Sequence, residues 1–285
     1  MESKGTRLEW LLMVVTGVVL SAILVAYLIA RAGQSQTYDV LLEPITVPQG
    51  AEAVAEGERL ATIRGCFWCH GASLEGQKYF AEADRGLIVA APNLPKKLLE
   101  YSDAEFARSV RHGVRADGTS LQPAMPSFAF YNMSNEDMAY IIAYIRSLPV
   151  QDGLEGEFRL LPFGWYRWAI GDITPNVADL IDHTAARPDP AVNGNPVERG
   201  RYLAESICTE CHGDNGRIRV PLTPDIEIAA TYGREDFNRI MRTGAPVGDR
   251  KIDYHMVDVG KYRYVRMTDA EVSALFAYFQ SMLPP

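Results

Sequence analysis

Hydrophobic positions are arranged in two different ways along this chain. From Trp10 to Ala30 the sequence WLLMVVTGVVLSAILVAYLIA carries 21 consecutive residues without a charge. A helix of that length, rising about 1.5 Å per residue, crosses the ~30 Å hydrocarbon core of a bilayer. Beyond this run, apolar residues recur at helical spacing in short amphipathic segments. The pattern predicts an all-α chain that begins with one transmembrane helix.

Charges beside the apolar run predict its orientation. Lys4 and Arg7 precede it, so the positive-inside rule places the N-terminus in the cytoplasm. Everything after Arg31 then lies on the periplasmic or outer face of the cytoplasmic membrane. A cleaved signal peptide and a buried core helix are the alternatives. Signal h-regions usually span about 7–15 residues, so the length favours an uncleaved anchor.

Three segments of the remaining chain occur twice, which predicts two tandem helical domains. The first pair resembles a helix that runs into a Cys-x-x-Cys-His motif, and the second pair is a short amphipathic helix that ends at a Gly. The third pair starts with Ser134 or Thr268 at an N-cap, followed by Asp137 or Glu271 three residues later. The pairs are GERLATIRGCFWCHG with GRYLAESICTECHG, DAEFARSVRHG with REDFNRIMRTG, and SNEDMAYIIAYIRSLP with TDAEVSALFAYFQSMLP.

These repeats set the predicted domain boundaries. Neither copy shows a convincing alternating strand, so each domain is expected to be mostly helical. The aromatic first half of the connector is expected to pack on a domain. The predicted parts are an N-terminal stub and anchor (1–32), a tether (33–52), a first helical domain (53–150), a connector (151–192) and a second helical domain (193–285).

All four cysteines lie in two Cys-x-x-Cys-His motifs, CFWCH and CTECH. This spacing is the attachment signature of haem c. Two thiols on one helical turn can bond to the two vinyl groups of a porphyrin, and the adjacent imidazole can ligate its iron. The sequence therefore predicts two covalently bound haem c groups. Their predicted attachment and proximal residues are Cys66, Cys69 and His70 for one, and Cys208, Cys211 and His212 for the other.

Other cysteine chemistries fit less well. A single zinc shared by both motifs would join residues that are 142 positions apart, and it would leave the repeated flanking segments unexplained. Thioredoxin-like chemistry expects a βαβ setting, which the pattern lacks. Disulfides are allowed outside the membrane, but they do not account for the two histidines.

Methionine is the expected distal iron ligand in a low-spin electron carrier. In the first repeat we choose Met125, which stands between prolines in the loop sequence QPAMP. Met125 follows Gly113 by 12 residues, and Met256 follows Gly244 by the same 12, so Met256 is the predicted second distal ligand. No proline follows Met256, and this second assignment is the weaker match.

Several other residues compete for these roles. Met133 competes with Met125, but it precedes an N-cap and can act as a hydrophobic staple. Met267 is its repeat partner, and Met267 and His255 are the alternatives to Met256. His112 ends a helix and is matched by a threonine in the repeat, so we interpret it as structural. His183 lies in the connector without metal-ligand spacing and stays unassigned.

With these motifs in place, the chain from about residue 53 onward resembles a membrane-anchored dihaem c-type cytochrome with two class I cytochrome c domains. The shared features are CxxCH after a helix, Pro92-Asn93-Leu94 in the first haem loop, Met125 followed by Pro126, and a closing helix that ends in Ser-Leu-Pro. The resemblance implies a bundle of about four helices around each haem, with one haem edge exposed. The departure from the pattern is the missing proline after Met256.

The predicted function is electron relay without catalysis of its own, because two His/Met-ligated irons leave no open position for a substrate. Expected partners are a dehydrogenase, a quinol-oxidising complex or a terminal oxidase in a respiratory or photosynthetic membrane complex. A dihaem peroxidase with one open haem is the alternative, and a haem sensor would need an output domain. The chain has 285 residues and a formal charge of −8 without basic runs, which argues against nucleic-acid binding.

Overall fold

The chain is described here by a computed structural model that covers residues 3–82, 86–174, 176–190, 194–213, 223–248 and 250–283. Within these ranges the backbone is mostly helical, which confirms the predicted fold class. Helix α1 (Ser3–Gln34) contains the uncharged run and is exposed along almost its entire length. By length and composition it can cross a membrane. The predicted limits at residues 1, 193 and 285 lie outside the described residues.

A first helical unit follows α1 and packs around its own hydrophobic core. Its first and last long helices cross at Gly57, where an added Cβ would lie 2.0 Å from the carbonyl oxygen of Tyr140. Glycine therefore allows the two backbones to touch. The core includes Leu60, Phe106, Met138 and Ile142. The helices are α2 (Ala51–Ile63), α3 (Cys66–His70), α4 (Leu94–Glu100), α5 (Asp103–His112), α6 (Ser127–Phe130) and α7 (Asn135–Ser147).

A small antiparallel sheet also belongs to this part of the chain, although the sequence shows no convincing alternating strand there. Strands β1 (Gln77–Glu82), β2 (Leu87–Ala91) and β3 (Glu157–Leu160) pair in that order, with Leu87 opposite Leu160. The sequence LIVAA of β2 is a continuous apolar run rather than an alternating one. Periodicity cannot distinguish such a run from a piece of buried helix.

The connector contributes β3 and then α8 (Pro162–Ala169). Gly164 of α8 touches the backbone of Gly86 at the start of β2, and an added Cβ there would lie 2.2 Å from the Gly86 carbonyl oxygen. The rest of α8 packs along α1. The aromatic stretch therefore contacts the apolar helix α1 as well as the sheet, whereas packing on a domain alone was expected.

A second helical unit repeats the arrangement of the first. Gly200 lies at its helix crossing, where an added Cβ would be 2.0 Å from the carbonyl oxygen of Ala274. Its core includes Tyr202, Phe237 and Leu275. The helices are α9 (Pro196–Leu203), α10 (Thr209–His212), α11 (Arg234–Thr243), α12 (Tyr254–Asp258) and α13 (Asp269–Ser281).

The helix ends follow the sequence predictions with one exception. Gly113 and Gly244 close their helices in the left-handed region, both at φ 66°. Thr268 and Glu271 form the complete capping box. Ser134 caps α7 through its hydroxyl, which accepts from the backbone N–H three residues on, but the carboxylate at that position points away from the cap.

That carboxylate, Asp137, belongs to a reciprocal contact between the two units. The Tyr202 hydroxyl of the second unit donates to Asp137 Oδ2 at 2.6 Å. In the equivalent contact with the two units exchanged, Arg59 of the first unit donates to Glu271 Oε2 of the second at 2.8 Å. Arg59 and Tyr202 occupy the same position of the repeat, and so do Asp137 and Glu271. The two units therefore meet through matching surfaces, in the manner of an isologous dimer interface.

Candidate haem sites

The first CxxCH motif lies on a single helical turn at the end of α2. Gly65 reverses the chain in the left-handed region (φ 73°), and α3 begins directly at Cys66. Cys66, Cys69 and His70 all line one cavity of about 280 Å³. The structure therefore brings both predicted attachment thiols and the predicted proximal ligand to the same space.

The imidazole of His70 is oriented by the backbone. Its Nδ1 lies 2.8 Å from the carbonyl oxygen of Pro92, and because a carbonyl only accepts, Nδ1 carries the proton. Burial lowers the pKa of His70, which favours the neutral ring. Nε2 is then left with its lone pair, the form in which histidine binds a metal.

Met125 lines the same cavity as His70. It lies in a turn between prolines, where its N–H donates to the Gln122 carbonyl at 2.9 Å. Its competitor Met133 also borders the cavity but is only 1% exposed and belongs to the hydrophobic core, as does its staple partner Met138. The geometry therefore favours Met125, whose side chain is half-buried and less committed to core packing.

Arg64 brings unsatisfied donors to this cavity. Its side chain is buried, with Nη2 donating to Asp137 Oδ2 at 2.5 Å. The Nε and Nη1 atoms of Arg64 have no hydrogen-bond partner within the described structure, although the residue lines the cavity. Buried guanidinium donors without partners are costly. They fit a cavity that receives a group with acceptor atoms, and with the donor set above they are consistent with a bound haem.

The second CxxCH motif is approached differently but ends in the same arrangement. A π-helical turn (Ala204–Cys208) replaces the glycine break and leads directly into α10. His212 Nδ1 then lies 2.8 Å from the carbonyl oxygen of Pro224. Because that carbonyl only accepts, Nδ1 of His212 carries the proton and Nε2 carries the lone pair, as in His70. The sequence analysis missed Pro224, although Pro224-Asp225-Ile226 parallels Pro92-Asn93-Leu94 as Pro, Asx and an aliphatic residue.

The candidate distal ligands of the second site occupy three different environments. Met256 lies within α12, is half-buried, and packs against the hydrophobic cluster that contains Cys208. Met267 is 3% exposed inside the same cluster. His255 is exposed, and its Nδ1 lies 2.7 Å from Asp253 Oδ1. Of the three, Met256 alone contacts the hydrophobic cluster around Cys208 without being fully buried in it.

No disulfide joins the four cysteines, all of which lie among the described residues. Burial raises the pKa of Cys66 to about 11 and that of Cys208 to about 12, and it raises the pKa of Cys211 to about 11. Reactive redox cysteines and thiolate ligands need a lowered pKa. No cluster of three or more His, Cys, Asp or Glu suited to a metal ion occurs among the described residues. The raised thiol pKa values disfavour thioredoxin-like redox chemistry.

Arg263 connects the two motifs, and the sequence analysis did not identify it. Its Nε donates to the Ile63 carbonyl at 2.9 Å, and its Nη2 donates to Glu210 Oε2 at 2.8 Å. The guanidinium also lies 5.3 Å from the ring centroid of Trp68, and an added Cβ on Gly65 would lie 2.7 Å from it. Trp68 belongs to CFWCH and Glu210 to CTECH, so one buried cation touches both motifs.

The histidines that the sequence left aside are partners of one another. His112 and His183 face each other with their Nδ1 atoms 3.0 Å apart. His112 also packs edge-on against Tyr131 at 5.3 Å between ring centroids. The interpretation of His112 as a structural residue fits this buried contact. Because 71 residues separate the pair, nothing local in the sequence indicates it.

Comparison with known proteins bears directly on the first of these sites. The family model described as cytochrome c matches residues 54–149, a range that contains Cys66, Cys69, His70 and Met125. Residues 54–149 form a cytochrome c domain. In this cytochrome c domain the motif, the Pro92 carbonyl and the Met125 turn surround one cavity.

Several relatives resemble a larger part of the chain. The fructose dehydrogenase cytochrome subunit of Gluconobacter japonicus is 24% identical over 84% of this chain and 54% of its own length. The gluconate 2-dehydrogenase cytochrome c subunit of Pantoea cypripedii is 33% identical over 56% of this chain and 37% of its own length. A protein named diheme cytochrome c-type from Cereibacter sphaeroides is 26% identical over 55% of this chain and 56% of its own length. The chain thus spans about a third to a half of these relatives.

Proposed function

We propose that this chain is a membrane-anchored dihaem cytochrome c, which accepts electrons from a dehydrogenase and passes them to a further carrier at the membrane. The cytochrome c domain and the relatives named as cytochrome subunits of dehydrogenases support electron transfer as the activity. The observation that carries the dihaem assignment is the repeated His–proline contact. Both CxxCH histidines have Nδ1 2.8 Å from a proline carbonyl, which places the ring proton on Nδ1 and the lone pair on Nε2, the tautomer in which histidine binds iron through Nε2.

In the first site, Cys66 and Cys69 would attach the haem, and His70 and Met125 would be its axial ligands. Bound haem c supplies an iron that cycles between the ferrous and ferric states. The protein holds the His70 ring in one tautomer and provides a largely apolar wall, lined by Phe106, Ile141 and other core side chains. Both axial positions would be filled by the chain, which suits an electron carrier.

In the second site, Cys208 and Cys211 would attach the haem, with His212 and Met256 as axial ligands. The contact between Met256 and the cluster around Cys208 supports this choice over His255, which is exposed, and Met267, which is buried in the core. The two haems would be carried by domains at residues 53–150 and 193–285, joined by the connector at residues 151–192.

Arg263 supports a direct relay between the two sites. Burial alone would lower the pKa of Arg263, but the Glu210 carboxylate raises it above the ordinary value, so the residue is charged. A cation that touches Trp68 of one motif and Glu210 of the other fixes the distance between the motifs. It also acts electrostatically on both haem positions, because interactions of this kind are weakly screened in the protein interior.

The contact between α1 and the connector supports an uncleaved anchor. Ala30, near the end of the apolar run, is only 1% exposed, and Tyr27 packs on Trp165 with ring centroids 5.0 Å apart. A cleaved leader would leave this surface of the connector uncovered. With Lys4 and Arg7 on the cytoplasmic side, both haem sites would lie on the opposite face of the membrane.

A redox titration of the purified full-length protein, followed by optical spectra, tests the proposed function. We expect two low-spin haems per chain, both with the weak ferric band at the red end that reports methionine sulfur on iron. Neither should bind carbon monoxide. A haem that binds carbon monoxide rapidly would instead favour the alternative of a dihaem redox enzyme with one open site.

The proposed electron donor can be tested separately. The chain would be isolated with its associated proteins from membranes of its host, and haem reduction would be recorded on addition of fructose or gluconate. Reduction that depends on one of these substrates supports a dehydrogenase partner. Reduction by a quinol alone would assign the donor to a quinol-oxidising complex.

A further inference from the structure

Helix α8 of the connector lies directly against the outer end of α1. The rings of Tyr27 and Trp165 meet edge to face at 5.0 Å, and the indole of Trp168 reaches Gly33 so closely that an added Cβ would be 2.2 Å away. Ala30 is buried in the same contact. Two tryptophans of α8 therefore hold this helix against α1, Trp165 on Tyr27 and Trp168 on Gly33.

A different face of α8, extended by its C-cap residue, exposes large apolar side chains. Phe163, Tyr166 and Ile170 are 51%, 53% and 58% exposed. They follow one another at positions i, i+3 and i+7, which places them on one stripe of the helix. The rings of Phe163 and Tyr166 stack with centroids 6.3 Å apart, so the stripe is continuous at that end. Trp165 and Trp168 point toward α1, so the two stripes are separate.

The depth of α8 along α1 indicates what covers this stripe. The uncharged run ends at Ala30 and the first charge after it is Arg31, which marks the outer boundary of the hydrocarbon core. Tyr27 lies only four residues before that charge, or about 6 Å along the helix axis. Aromatic side chains concentrate at this depth, and interfacial helices bury an apolar face about 5–10 Å into the boundary between headgroups and acyl chains.

We infer that α8 is an interfacial membrane helix, with Phe163, Tyr166 and Ile170 in contact with lipid. This inference rests on the proposed membrane anchor and adds a second attachment to it. A single transmembrane helix joined by a tether would leave the haem domains free to tumble. Two attachments, one spanning and one lying in the interface, hold the adjoining unit in one orientation relative to the bilayer.

A short path through the backbone and the hydrogen-bonded strands runs from α8 to the first candidate haem site. Strand β3 ends two residues before α8 and pairs with β2, in which Leu87 lies opposite Leu160. Pro92 follows β2 directly, and its carbonyl orients His70. The sheet therefore connects the helix at the membrane surface to the loop whose carbonyl orients the proximal ligand. The inference assigns the β2–β3 pairing a role in presenting the first haem to a partner in or on the membrane.

Hydrophobic photolabelling tests the inference with the full-length holoprotein in liposomes. A carbene-generating lipid analogue confined to the bilayer would be activated, and labelled peptides would be mapped by mass spectrometry. We expect label on α1 and on the α8 peptide that contains Phe163, Tyr166 and Ile170. The combined variant Phe163→Ser, Tyr166→Ser and Ile170→Ser should reduce α8 labelling at least fivefold and leave α1 labelling unchanged.

Matched controls separate the possible outcomes. Tyr254 and Tyr262 are similarly exposed, at 66% and 62%, but lie in the second unit and should stay unlabelled. An unchanged content of covalent haem would show that the triple variant has folded. Label on α1 without label on α8 overturns the inference but leaves the anchor standing, and no label on either helix overturns both. If α8 is unlabelled at a high ratio of protein to lipid and becomes labelled when the protein is diluted with lipid, a second copy of the chain covers this surface instead.

Discussion

His70 and His212 are held in the same way, but the surroundings of the two sites differ. Each Nδ1 is 2.8 Å from a proline carbonyl, yet that proline is 22 residues away in the first site and 12 in the second. The first loop contains β1 and β2, whose residues Val89–Ala91 form part of the cavity wall. No strand occurs in the described part of the second unit.

The distal sides differ as well. Met125 stands in a turn fixed by two prolines, whereas Met256 lies inside the short helix α12. The proximal side is therefore conserved between the two repeats and the distal side is not. Attachment of a haem to CxxCH depends on one helical turn and one carbonyl, which a short segment can supply. The enclosure of the distal face depends on loops, and these can diverge while attachment is preserved.

Removal of the thiols should produce the largest effect and test whether the two sites are independent. Replacement of Cys66 and Cys69 by Ser is expected to abolish covalent haem in the first site only, because each site has its own pair of thiols. Replacement of Cys208 and Cys211 should do the same in the second. Mass spectrometry of the intact chain should show the loss of one haem in each case. Loss of both haems from either variant would contradict independent sites.

The reciprocal interface provides a comparison of stability. Asp137→Asn should destabilise the protein by about 3–5 kcal/mol, because it leaves the buried Arg64 guanidinium without its carboxylate partner. Glu271→Gln should cost only about 1 kcal/mol, since Arg59 retains Glu56 as a second partner at 2.6 Å. Denaturant unfolding followed by helical circular dichroism measures both values. Equal losses would show that the two halves of the interface contribute alike.

The distal ligands can be compared through the potentials. Met125→Ala should lower the reduction potential of the first haem on the order of 0.1 V, within the ~0.8 V range set by axial ligands. Met256→Ala should do the same for the second haem, and each variant should lose its own methionine band. Met267→Leu is the control, because that side chain is buried in the core. If Met267→Leu removes the second band instead, the assignment of Met256 is wrong.

Arg263 offers a way to shift both sites at once. Arg263→Met removes a buried cation shared by the two motifs and should lower both potentials by tens of millivolts, roughly the scale of a partly screened charge in a protein interior. Arg263→Lys retains the charge and should restore most of the shift. Arg239→Met is the surface control, because its ion pair with Asp236 is largely exposed. If the reduction potential of only one haem shifts, Arg263 does not act on both sites.

The proximal sides could be read from the sequence because their determinants are local. Cys66 to His70 and Cys208 to His212 each fit within five consecutive positions, and the capping residues Thr268 and Glu271 lie three apart. Pro224 was missed because its distance from the histidine differs between the repeats. The strands were missed because β2 is apolar on both faces and has no alternating pattern.

The remaining features depend on contacts between distant parts of the chain. Arg263 meets the Ile63 carbonyl across 200 positions, and Arg64 meets Tyr202 across 138. No periodicity or spacing rule connects such residues. Arginine is also a common surface residue, so composition does not single out one that becomes buried. Only the packing of the two units shows that these cations lie between the CxxCH motifs.

The last comparison concerns His112, whose counterpart in the second unit is Thr243. Burial lowers the pKa of His112 to about 4, with a further contribution from His183, and burial lowers the pKa of His183 as well. In the unfolded chain both histidines have the ordinary pKa of about 6.5. The unfolded chain therefore binds more protons than the folded chain between about pH 4 and 6.5. The stabilisation should be complete above that range and should fall by about 1–2 kcal/mol as the pH drops through it, since the partner ring of His183 is only partly buried. His112→Thr copies the second unit and should flatten this part of the pH profile in denaturant unfolding. If the free energy of unfolding of His112→Thr depends on pH as in the unchanged protein, other groups cause the loss of stability in acid.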